Sequence, residues 1–443
     1  MMARVLKRSL TGFEAEYHLV DNSGNISNRA PEVITKAKEH DPNIAIVKEI
    51  GKNLVEFNSY PDVKTYNTAL NMVDYVEKTM HVCEGMDLNL FPFANYPGRF
   101  QPELSESPLY RIKENIFGQR LLHSPRSASF HHHYTLPKSV FDNEKKELRL
   151  LKKSKLKRTL IGSYNFEIAA DPVLTLLMQS SPFYQGEHFA KDARVVVYRG
   201  GRKLKFMDGF YARHQQIGGL PPYKQTATDL MQSLKRRWKR WEREVKKADP
   251  SVNFDTLYPN KLDIGWHPIK INKHGTLEQR GMDINYMSNM IAVTALLKFC
   301  LKKIQREFIE VIPADFGIEE AFKIEGDKMY IPPHTYVRNR LQYWSAYKGY
   351  NQKEMYDYAK RFYLMAKQLV PKSYNQLLSP LWDMIENKKS MSDRILSHAK
   401  YKGYMNQNRI SDQDAKELTL HYTKKFPKDV ELTKKRLQKI STL

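Results

Sequence analysis

Polar and apolar residues alternate with a period of two in five short stretches of the chain: residues 12–20, 54–59, 130–136, 194–199 and 276–282. Successive side chains of an extended strand point to opposite faces, so each stretch reads as a β-strand with one apolar face. A helical period runs through residues 63–84, which follow Pro61-Asp62 as a helix start, and through 172–179, 224–247 and 288–307. From about Pro333 onward the pattern is helical, clearest over 352–369, 375–388 and 411–425. The expected class is α+β, a mainly antiparallel sheet with flanking helices in residues 1–332. The helical part, 333–443, should pack on that core and form no independent domain. No internal repeat or low-complexity linker interrupts the chain, and Tyr96-Pro97-Gly98 and residues 218–222 read as turns or site loops.

The strand faces carry the candidate chemistry. Over residues 12–20, Glu14, Glu16 and His18 share one face while Phe13, Ala15, Tyr17 and Leu19 take the other. The two carboxylates stand about 6.6 Å apart along the strand, a spacing that suits cations lying between them and a phosphate chain. Over 54–59, Glu56 and Asn58 oppose Val55 and Phe57, and Glu49 precedes Glu56 by seven residues. Over 130–136, His131, His133 and Thr135 share a face, which leaves His132 on the packed side. Over 276–282, Glu278 and Arg280 stand together, an acid able to hold a metal beside a cation able to clamp a transferring phosphoryl group. Each face taken alone reads first as an ordinary structural face, a solvated surface or a cross-strand ion pair, ahead of a ligand role. A sheet curved around a cavity would gather all of them at one ion-and-phosphate site.

Composition narrows the setting. The 443 residues (52.0 kDa) are 41% apolar and 12% aromatic, enough for a large core, which excludes a disordered chain. Cys83 and Cys300 are the only cysteines, so a disulfide framework and an all-cysteine metal site are excluded and a reducing cytoplasm fits. The first ten residues hold no apolar leader, and the longest apolar run, 290–297, is too short to span a bilayer. No G-x-x-x-x-G-K-[ST] and no G-x-G-x-x-G occurs, so a bound nucleotide would be held through metals and cations. The net charge of +23 concentrates in residues 145–158 and 235–247, each with eight basic residues, the second including Trp238 and Trp241. That second segment reads as a solvated helix with an aromatic anchor, and its rival is a nucleic-acid or anionic-surface patch.

The series Gly12-Phe13-Glu14-Ala15-Glu16-Tyr17, Leu54-Val55-Glu56-Phe57, His131 six residues before Pro137, Ser180-Ser181-Pro182-Phe183-Tyr184-Gln185-Gly186 followed by Arg194, and Gly275-Thr276-Leu277-Glu278-Gln279-Arg280 with Asp283 resembles the glutamate-cysteine ligase and carboxylate-amine ligase family. Residues 338–349 resemble that family's late arginine segment. The resemblance implies a glutamine-synthetase-like catalytic domain that uses ATP and Mg²⁺ (or Mn²⁺). It implies a metal and ATP-phosphate shell of Glu14, Glu16, Glu49, Glu56, His131 and Glu278, in which Glu49 rests on spacing. Arg280 would stabilise the transferring phosphoryl group and Arg194 would contact phosphate or the substrate carboxylate. Where many relatives read His-x-His-Val-Gly, this chain has His131-His132-His133-Tyr134-Thr135.

The activity implied is ATP-dependent ligation of a carboxylate, such as the γ-carboxylate of glutamate, to an amine through an acyl phosphate, with ADP and phosphate released. The expected partners are therefore small molecules. The alternative is a catalytically retired ligase fold that binds nucleic acid or an anionic surface.

Overall fold

Four of the five alternating stretches lie in one sheet. The computed structural model describes residues 9–136, 138–149, 154–315 and 320–442; residues 1–8, Pro137 and positions 150–153 of the first basic segment fall outside them. The sheet comprises β1 (Thr11–Asp21), β2 (Ile46–Lys48), β3 (Leu54–Asn58), β4 (Leu88–Phe91), β5 (Ser129–Thr135), β6 (Ile269–Asn272) and β7 (Thr276–Asp283). Their order is β6-β7-β5-β1-β3-β2, an open path, with β4 paired to the second half of β1. All pairings are antiparallel. The register sets Glu14 across from Asn58 and His131, Glu16 across from Glu56, and Glu278 across from His133. Cross-strand partners share a face, so register alone assembles the polar groups. In β7 the register shifts between Gln279 and Met282, a bulge of the kind that bends a strand and re-aims its side chains.

The opposite face is the core. Phe13, Ala15, Tyr17, Phe57, Phe130 and Tyr134 are buried there against α2 (Thr65–Glu84), α4 (Lys155–Met178) and α7 (Met287–Glu307), and α1 (Ala30–His40) packs on α2. His132 is fully buried on this side, its Nε2 2.8 Å from Thr11 Oγ1. Every residue of α4 from Thr159 to Met178 is buried. A helix without a solvent face has no amphipathic period, which is why the pattern marked only its end, 172–179.

Beyond Pro333 the chain forms α8 (Lys353–Leu369), α9 (Asn375–Glu386), α10 (Met391–Tyr401), α11 (Asp412–Thr423) and α12 (Phe426–Ser441). The expected helix at 411–425 is α11, and a further helix, α12, follows it and opens with Pro427 in its first turn. Phe426 lies 5.4 Å from the Tyr17 ring, and the Tyr358 hydroxyl donates to the Ala169 carbonyl of α4 at 2.8 Å. Among the described residues no helix is long and apolar enough to cross a membrane.

Residues 194–199, expected as a strand, form the helix α5 (Ala193–Arg199). The Asp192 carboxylate accepts from the Val195 amide at 2.7 Å, capping a turn that buries all three valines, and this outweighs the β-preference of the Val run. The basic segment 235–247 lies in α6 (Ala227–Ala248), opened by a capping box between Thr226 and Asp229. Trp241 is fully buried against Phe117 of α3 (Pro108–Phe117) and against Trp266, and half-buried Trp238 sits edge-on to Phe254. Both indoles anchor the helix, as expected of a solvated helix with an aromatic core contact. This second apolar cluster, with Ile112, Phe117, Tyr211 and Ile264, stands over the polar face of the sheet as a roof.

Candidate active site

Between sheet and roof lies a cavity of about 260 Å³ lined by Glu14, Glu16, Glu49, Glu56, His131, Arg194 and Arg280 from the sequence reading. Glu278 stands beside it, holding Arg280 Nη1 at 3.0 Å. The structure therefore brings together all eight candidate residues. It does not bring Arg338 and Arg340 into the chamber lining, and Arg340 is exposed.

The ligand atoms fall into three sets, each within 4.8 Å: Glu14, His133 and Glu278; Glu14, Glu56 and His131; and Glu16, Glu49 and Glu56. Glu14 belongs to two sets and Glu56 to two, so the sets adjoin in a row. Burial would raise the Glu14 carboxyl, but the charge of His133, 3.1 Å away, and the hydrogen bond with His131 (2.6 Å) outweigh it and hold it well below the usual range. Ser129 Oγ lies 2.8 Å from the other His131 nitrogen, and the Ser129 amide donates to Glu16 at 2.7 Å. Glu278 is buried, yet Lys270, Arg280 and His133 draw it down to about 2. Asn272 also donates to it, at 2.5 Å.

The middle of the row is electrostatically unsatisfied. Burial, then the charges of Glu14, Glu49 and Glu16, push the Glu56 carboxyl well above its ordinary value. Burial and Glu49 raise Glu16 in the same way. Crowded carboxylates with imidazole at the edge form a donor set for a hard divalent cation, and the local excess of negative charge is what such cations would relieve. The residues present thus fit Mg²⁺ or Mn²⁺.

The roof contributes groups that strand alternation does not disclose. Lys113 and Tyr110 come from α3, Tyr198 from α5 and Trp266 from the segment before β6. The Lys113 ammonium sits 4.6 Å over the Trp266 ring, and enclosure pushes it down to about 8. Arg194 points a guanidinium at the Tyr198 ring (5.4 Å) and donates to the Arg280 carbonyl at 3.4 Å. Arg199, one turn along α5, makes a buried two-point ion pair with Asp171 of α4 at 2.6 and 2.8 Å. That pair lies where a Cβ on Gly281 would stand, 2.5 Å from both partners, so glycine at the β7 bulge lets α5 close on the sheet.

A second cavity of about 260 Å³ opens at the ends of β1, β5 and β7, walled by Leu10, Pro61, Leu136, Phe141 and Gly275. It also touches Glu14 and His133, so the two cavities meet at Glu14.

The fold, an open antiparallel sheet with helices on one face, is similar to that of two solved ligases. The glutamate-cysteine ligase of Francisella tularensis, solved in complex with AMP, matches with a TM-score of 0.56 at 13% identity, over 98% of this chain and 93% of its own. A bifunctional glutathione synthetase from Pasteurella multocida matches with a TM-score of 0.54 at 11% identity, over 96% of this chain. The match covers 53% of that enzyme, so the chain spans about half its length. No family model and no curated protein matches the chain.

Proposed function

We propose that this chain is an ATP-dependent carboxylate-amine ligase of the glutamate-cysteine ligase type, its sheet curved as in glutamine synthetase. Residues 1–332 would be the ligase core and 333–443 a helical part packed on it. The observation that carries the reading is the row of three adjoining ligand sets joined by Glu14 and Glu56, with Arg280 anchored on Glu278 at its end. Glu14, Glu16, Glu49, Glu56, His131, His133 and Glu278 would hold Mg²⁺. The bound metal would neutralise the phosphate chain of ATP and the charge that develops on its terminal phosphoryl group.

The cavity beside Phe141 and Gly275 takes the nucleoside, and the phosphates cross into the acid chamber at Glu14, which lines both cavities. The Francisella enzyme was solved in complex with AMP, which supports an adenine nucleotide as a ligand of this fold. Arg194 and Lys113 offer roof cations to the anionic groups of the substrates. A carboxylate oxygen of glutamate, or of a similar acid, attacks the γ-phosphorus as the bond to ADP breaks. Arg280 meets the charge spread over the transferring oxygens. An amine then attacks the acyl phosphate carbonyl, phosphate departs, and an amide forms. The aromatic roof of Tyr110, Tyr198 and Trp266 keeps water from the intermediate.

The test is phosphate release from ATP and Mg²⁺ with L-glutamate and a panel of amines including cysteine. Release should require both acid and amine, and Glu16→Ala should lower turnover by about 10²-fold or more while the fold persists. Full activity in Glu16→Ala would refute the assignment.

A further inference from the structure

A cavity of about 830 Å³ lies between α4 and the start of α6, and none of its lining residues lines the acid chamber. Lys157, Arg158 and Lys224 bring three cations to it. Among the described residues none of the three has a carboxylate within salt-bridge distance, and the acid on the lining, Glu310, is exposed. Lys224 is 7% exposed, and among the described residues its ammonium has a single partner, the Ser233 hydroxyl at 2.7 Å. Its place is set by Asn165, whose side-chain amide bonds its backbone N–H and C=O, each at 2.8 Å.

The neighbourhood adds positive charge. Arg237 is also 7% exposed, and among the described residues its one polar partner is the Tyr164 hydroxyl at 3.4 Å. Asp229, the acid that acts on Lys224 from a distance, has its carboxylate engaged by the Thr226 amide at 3.0 Å. Burial, then the charges of Arg237 and Arg236, press the Lys224 ammonium down to about 8. Buried charge without a counter-ion is costly, and the usual remedies are a paired group or a bound ion. Ile161, Val311, Ile312 and Tyr223 give the wall an apolar stretch, and Ser154, Gln225, Thr226 and Thr228 add neutral polar groups. A site of this volume with an apolar stretch beside convergent polar groups has the build of a small-molecule pocket.

We propose that this cavity binds a small organic phosphate, its phosphoryl group among Lys224, Lys157 and Arg158 and its organic body against Ile161, Val311 and Tyr223. A phosphate monoester supplies two negative charges and several acceptor oxygens to three unneutralised cations, a better match than one carboxylate. The proposal does not rest on the ligase reading.

The test is titration calorimetry of the full chain in EDTA, where the metal-free acid chamber repels anions, with phenyl phosphate and inorganic phosphate as probes. Phenyl phosphate should bind at least tenfold more tightly than inorganic phosphate. Lys224→Met and Arg158→Ser should each weaken it at least tenfold, whereas Glu16→Gln should leave it unchanged. Arg158 is exposed, so its variant reports even if Lys224→Met fails to fold. No binding of either probe, binding that survives both variants, or loss in Glu16→Gln would overturn the site. Equal affinity for the two probes would overturn the organic ligand.

Discussion

Glu56 pairs across the sheet with Glu16, and with Glu49 the two can converge on one ion. Its carboxyl is raised by burial and by the acids around it, so its folded pKa lies above the unfolded value of 4.5. The sign follows from linkage: its contribution to stability is fully present below the unfolded pKa and is lost as pH rises through the folded one. In EDTA, Glu56→Gln should therefore raise the melting temperature at pH 8, with a gain that shrinks toward pH 5, while Mg²⁺ stabilises the wild type more than the variant. Thermal unfolding with and without Mg²⁺ checks this, and equal Mg²⁺ stabilisation of both proteins would remove Glu56 from the metal shell. His133 completes a ligand set that the motifs left at His131, although strand alternation had already put the two on one face. Lys113, Tyr110 and Trp266 could not be read the same way. They reach the chamber from a helix and a loop far from one another in the chain, and nothing in local spacing reveals that convergence.

At the scale of elements, α5 shows how the roof is held. Asp192 caps it and lies beside Asp283, and both carboxyls are raised, first by burial, with Asp283 also raising Asp192. Asp283 accepts from the Ser180 amide and the Ser181 hydroxyl, which ties the end of β7 to the segment before α5. Asp192→Asn keeps a capping oxygen and should be nearly neutral. Asp192→Ala should cost about 1 kcal/mol and weaken binding of the carboxylate substrate by displacing Arg194. Urea midpoints and substrate KM for the two variants separate capping from charge. Strands β1, β3, β5 and β7 were legible because each has one wet face and one dry face. The helix α5 was not, since its Val-rich stretch has strand propensity and its cap acts through a tertiary setting. Likewise α4 lacked a signature through most of its length because it is buried on every side.

For the molecule as a whole, the positive charge has consequences inside as well as outside. Lys298 of α7 is 2% exposed and donates to the Val63 carbonyl, and burial followed by the Lys302 charge pushes it from 10.5 to about 7. Between those values the unfolded chain binds the extra proton, so this group makes stability rise with pH from about 7 toward 10.5. Lys298→Met should flatten that rise, measured as urea midpoints at pH 6.5 and 9.5; an unchanged slope would contradict the assignment. The net charge itself, +23, is spread over solvated faces such as that of α6, whose indoles are turned to the core. What the fold gathers instead is acid: carboxylates from three strands and a loop, drawn to one face by register and covered by a roof. The most direct measurement is hydroxylamine trapping with ATP, Mg²⁺ and a series of carboxylic acids led by L-glutamate, in the absence of any amine substrate. Hydroxamate formed in step with ADP, and lost in Glu16→Ala, is the result this account predicts. ATP cleaved to ADP and phosphate without hydroxamate from any acid would contradict it and make the chamber a hydrolase.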